Sequence, residues 1–88
     1  MTNDDQTLEQ MIKANPKVAK VMSDVRWAQT MNFSDYHSIE GITHEAGANL
    51  AEERGDCILA SKLRAKAREH YAEKIKDEKS LYYGSDSW

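Results

Sequence analysis

Cysteine and proline each occur once and glycine four times in these 88 residues, and each scarcity closes off a class of structure. The single Cys57 can form no intramolecular disulfide, and a thiolate metal site would need ligands from elsewhere. Turn residues are too few for the many chain reversals of an all-β fold. No apolar run approaches the ~20 residues of a membrane helix. The opening Met1-Thr2-Asn3-Asp4-Asp5 is acidic where a signal peptide would be basic and then apolar, so a cytoplasmic chain without membrane contact is expected. Enzymatic motifs are missing too: there is no Gly-rich phosphate loop, no His-Glu-x-x-His and no nucleophile elbow. Cys57 at a helix start is read as a small packing residue. No catalysis and no cofactor are expected.

What is present favours helix. Hydrophobic residues make up 40% of the chain and charged residues 31%, too apolar for disorder and sufficient for one small core. A single helical domain over residues 1–80 is expected, followed by an aromatic tail at 81–88. A domain this small buries a modest fraction of its surface, so self-association would help it, with a dimer as the first expectation.

The spacing predicts an all-α bundle of three to four helices ending in a helical hairpin. Leu8, Met11 and Ile12 recur at helical spacing behind acidic Asp4 and Asp5, placing a first helix near 6–14. Asn15-Pro16 reads as an N-cap followed by proline at the first helical position. The second helix, near 16–31, carries Val18, Val21, Met22, Val25, Ala28 and Gln29 on one stripe. Ser34 is the expected cap of a third helix near 34–54, with Ile39, Ile42, Thr43, Ala46 and Leu50 as its buried face. Gly55-Asp56 closes that helix and caps a fourth, near 57–79, whose buried face is Leu59, Ala60, Leu63, Ala67, Tyr71 and the stem of Lys74.

Several leftovers from these faces carry the functional expectations. His37, Glu40 and His44 share one row of the third helix, and imidazole and carboxylate are zinc and iron ligands. Glu69, His70 and Glu73 on the fourth helix offer further groups of the same type. The row points away from the expected apolar face, however, so it reads first as an outer surface, with metal binding through His37, Glu40 and His44 as the alternative. On the same side, Ala48 and Ala51 with Gly47 form a small-residue strip suited to close approach of a partner. Trp27 and Met31 project opposite the stripe of the second helix, to be covered by the first helix or by a partner. Tyr82, Tyr83 and Trp88 make the tail adhesive, for its own bundle or another chain.

Charge is segregated. Between Asp35 and Asp56 six acids stand against Arg54 alone, whereas between Lys62 and Lys79 seven bases outnumber four acids. Attraction between the two helices explains this better than nucleic acid, although Arg64 and Arg68 lie one turn apart and form a possible phosphate-binding strip. The net charge of −3 also disfavours nucleic acid.

Together these features lead to the expectation of a non-enzymatic interaction protein. It would present Trp27, Met31, His37, Glu40, His44, Ala48, Ala51, Tyr82, Tyr83 and Trp88 to a protein partner. By size and charge, one version is an inhibitor or adaptor of the kind phages and mobile elements encode.

Overall fold

The computed structural model describes residues 3–32 and 35–83, with side chains over 7–32 and 35–76. The all-α expectation holds. Four helices follow in chain order, α1 (Asn3–Lys13), α2 (Pro16–Asn32), α3 (Tyr36–Glu53) and α4 (Cys57–Tyr83), and no strand occurs among the described residues.

Local chemistry sets the boundaries. Asn15 caps α2: its carbonyl accepts from Ala19 N–H at 3.0 Å and its side chain from Val18 N–H at 3.4 Å. The cap of α3 is Asp35, whose side chain accepts from His37 N–H and from the Ser38 hydroxyl. This moves the start of α3 past the expected Ser34, which lies outside the described residues. At the other end Gly55, with φ of 84°, occupies the left-handed position. Gly55 N–H donates to Glu52 and Asp56 N–H to Ala51, the paired bonds of a Schellman closure, while the Asp56 side chain accepts from Leu59 N–H to start α4. That helix continues through Tyr83, because Leu81-Tyr82-Tyr83 contains no breaker before Gly84. The expected tail is shorter by these three residues; the side chains of Tyr82 and Tyr83, and all of Trp88, lie outside the described residues.

The core is built from Leu8, Val18, Met22, Ala48, Ala51, Leu59, Ala60 and Leu63, with Met11, Ile12 and Leu50 packed against it. The α4 face is as expected: Leu59, Ala60, Leu63 and Ala67 are buried and Tyr71 and Lys74 half-buried. The α3 face is not. Of its expected residues only Thr43 is fully buried, while Ile39, Ile42, Ala46 and Leu50 are half-buried. Buried instead are Ser38, Glu40, Gly41, His44, Gly47, Ala48 and Ala51. The reason is that α3 is the middle helix, packed against both α2 and α4. Close approach on two sides selects small residues: a Cβ on Gly47 would stand 2.7 Å from Met22 Cγ, and one on Gly41 would stand 2.5 Å from the Tyr71 ring. The small strip at Ala48 and Ala51 is therefore internal, with both residues 0% exposed, and not the outward partner surface that its spacing suggested.

Candidate metal centre

The same inward turn of α3 carries its polar row into the bundle. Glu40 and His44 are only 8% and 7% exposed, which corrects the expectation that they lie on an outer face. A buried carboxylate needs partners, and Arg26 of α2 supplies them: its Nε and an Nη donate to the two Glu40 oxygens at 2.7 and 2.9 Å. Burial pushes the Glu40 carboxyl up, but the hydrogen bond and charge of Arg26 outweigh it and hold the group below the ordinary glutamate range. Hydrogen bonding to Glu40 likewise holds the Arg26 guanidinium firmly protonated.

His44 sits one turn further along α3, and its Nδ1 lies 2.7 Å from the Glu40 carbonyl oxygen. A carbonyl only accepts, so Nδ1 carries the proton and Nε2 keeps a lone pair. His70 arrives from α4, its ring 5.4 Å from that of His44. Burial lowers the proton affinity of both imidazoles, and for His70 the charge of His44 lowers it further. Both are therefore neutral near pH 7, the form in which histidine binds a metal. One donor atom each from Glu40, His44 and His70 falls within a common separation of 4.8 Å. Donors about 2.1 Å from a shared ion stand roughly 3 to 3.5 Å apart, so side-chain movements of about an ångström would close the set.

His37 belongs to the cluster in a different place from the one its spacing implied. Its Nδ1 lies 3.2 Å from His70 Nδ1, and Tyr36 packs edge-on against both rings. His37 thus stands behind His70, where it can fix the orientation and tautomer of that ring. The alternative triad of His37, Glu40 and His44 is replaced by Glu40, His44 and His70. Of the other α4 groups, Glu69 and Glu73 are exposed and lie outside the triad.

At the triad opens a cleft of about 430 Å³ between α1, α2, α3 and α4, lined by apolar Leu8, Ile12, Ala19 and Met22 and by polar Glu9, Lys13, Arg26, Glu40, His44, Lys66 and His70. Arg26 and the cleft had no signal in helical periodicity. Their signal was positional: Arg26 and Glu40 both lie within two turns of the α2–α3 connection, and residues so placed on helices that pack against each other can meet.

The remaining expected site residues lie elsewhere. Trp27 and Met31 are 70% and 72% exposed on α2, so α1 does not cover Trp27. Arg64 donates to the Asn49 side chain at 3.1 Å and pairs with Glu52, so half of the basic strip answers the acidic helix beside it. Lys74 reaches Asp35 at 3.7 Å in the same sense. Arg68 is exposed.

The fold puts the chain in the class of small all-α helical bundles with a polar cluster between two core helices. No protein-family model, curated protein or solved structure gives a significant match to it.

Proposed function

We propose that this chain is a metal-binding helical bundle, holding a divalent first-row transition ion such as Zn²⁺ or Fe²⁺ through Glu40, His44 and His70. The observation that carries this reading is the convergence of two imidazoles and one carboxylate from α3 and α4 at a cleft. Two histidines and one carboxylate form a donor set used for both ions. The second layer supports it: the Glu40 carbonyl orients His44, and His37 backs His70. Arg26 opposes it in part, because its guanidinium occupies Glu40, and metal entry would require that side chain, 45% exposed, to swing outward.

The test is thermal unfolding of metal-free, untagged protein with added Zn²⁺, Fe²⁺ or Co²⁺. Free metal at a hundredfold excess over Kd adds about 2.7 kcal/mol, a Tm rise on the order of 10 °C for a domain this size. The rise should vanish in His70→Gln and persist in Glu69→Gln, an exposed neighbour. No rise with any of these ions would remove the reading.

A second reading keeps the chain as an interaction protein, now through α2. Trp27 and Met31, one turn apart, are large apolar side chains left in water, the residue types that anchor interfaces. Sedimentation equilibrium should show concentration-dependent association that Trp27→Ser weakens about tenfold or more, the loss of a large buried anchor. A monomer at every concentration would exclude self-association through this face.

A further inference from the structure

We infer that the metal held by Glu40, His44 and His70 binds a small monocarboxylate carrying a short apolar chain, its carboxylate on the metal and its chain against Leu8, Ile12 and Met22. This rests on the metal-binding reading and goes beyond it to the ligand. Three protein donors leave at least one position of a tetrahedral ion open, the arrangement that catalytic and ligand-binding sites keep and structural sites do not. All three donors line a cleft of about 430 Å³, within the range of small-molecule sites.

Charge and polarity select the occupant. The charged groups lining the cleft are Lys13, Arg26 and Lys66 against Glu9 and Glu40, and with Arg26 swung outward the remaining four balance. Lys66 also lies 4.0 Å from Glu69, at the limit of an ion pair. With a dication in place the cleft is positive and calls for an anion. An inorganic anion would satisfy the metal and leave the half-buried Ile12 and Ala19 in contact with water. An apolar chain on the same carboxylate would cover what Ile12 and Ala19 still expose beside the buried Leu8 and Met22, which gives the longer acid its advantage.

The experiment loads the full chain with Co²⁺ and follows its visible absorption while hexanoate, acetate or hexylammonium is added. Hexanoate should shift the band saturably, acetate should need at least about tenfold more, since four fewer methylenes are buried, and hexylammonium should do nothing. Ile12→Ser should weaken hexanoate about tenfold and leave the starting Co²⁺ spectrum unchanged, which shows that the variant is folded. Calorimetry of hexanoate with metal-free protein should show no binding of comparable strength. A Co²⁺ band that forms but ignores hexanoate, or that responds equally to acetate, overturns this inference and leaves the metal reading standing. Equal hexanoate binding without metal also overturns it. Absence of a Co²⁺ band overturns both.

Discussion

The Arg26–Glu40 pair stabilises the fold and would oppose the proposed metal, which needs the same carboxylate. Glu40 is nearly buried and its strongest partner among the described residues is the Arg26 guanidinium, so Arg26→Gln strands a carboxylate at about 1–3 kcal/mol, a range already reduced for the partial exposure of Arg26. Because the Glu40 pKa is depressed in the fold, the pair's contribution is present above the unfolded carboxylate value and is lost as pH falls through the folded one. Denaturant melts should therefore show a large deficit for Arg26→Gln at pH 7 and a smaller one near pH 4. In the same variant metal affinity should rise by about tenfold or more, since a positive charge beside the ion has gone. Weaker metal binding in Arg26→Gln would mean that Arg26 holds the carboxylate for the metal and does not compete with it.

At the scale of the element, α3 is shaped by what passes close to it. Glycine inside a helix costs about 1 kcal/mol relative to alanine, yet α3 carries Gly41 and Gly47 where Tyr71 and Met22 approach. Gly47→Ala gains that propensity and suffers overpacking of about 1–3 kcal/mol against Met22, for a net loss of about 1 kcal/mol. Met22→Ala removes the colliding group, so the double variant should be more stable than the sum of the single losses by at least about 0.5 kcal/mol. Strict additivity in equilibrium unfolding would show that the contact is not what the glycine serves. The helices themselves were legible in the residue pattern, because caps such as Asn15 and Asp56 and the Gly55 closure act over a few residues. The buried face of α3 was not, because Ile39, Ile42 and Leu50 mark an apolar stripe that the second packed neighbour displaces.

For the whole molecule, the histidine cluster makes stability depend on pH. Burial depresses the proton affinity of His44 and His70 in the fold, while both return to ordinary imidazole values on unfolding. The unfolded chain then binds more protons, so stability is complete above the unfolded value near 6.5 and falls as pH drops through the folded pKa. For well-buried His44 the slope reaches at most about 1.4 kcal/mol per pH unit, and half-buried His70 adds less. Glu40 stays ionised through this window and does not contribute. The urea midpoint of metal-free protein should be lower at pH 5.5 than at pH 7.5, with less difference in His44→Gln. A midpoint that is flat or rises on acidification would contradict the cluster of neutral histidines. The basic strip of α4 shows the opposite kind of legibility: segregated charge in the residue order pointed to attraction between α3 and α4, and Arg64–Glu52 and Lys74–Asp35 are that attraction.

The order of residues by itself determined that the chain forms helices, approximately where each begins and ends, and that α3 and α4 fold back on each other at Gly55-Asp56. Those features depend on hydrogen bonds and apolar repeats spanning at most a few turns, which a linear pattern records. Only the tertiary structure decided that Glu40 and His44 point inward, that His70 and Arg26 join them, and that Ala48 and Ala51 belong to the core while Trp27 does not. A helix face has no inside until its neighbours are placed, and α3 has two neighbours whose close approach selects small and paired polar residues over its isoleucines.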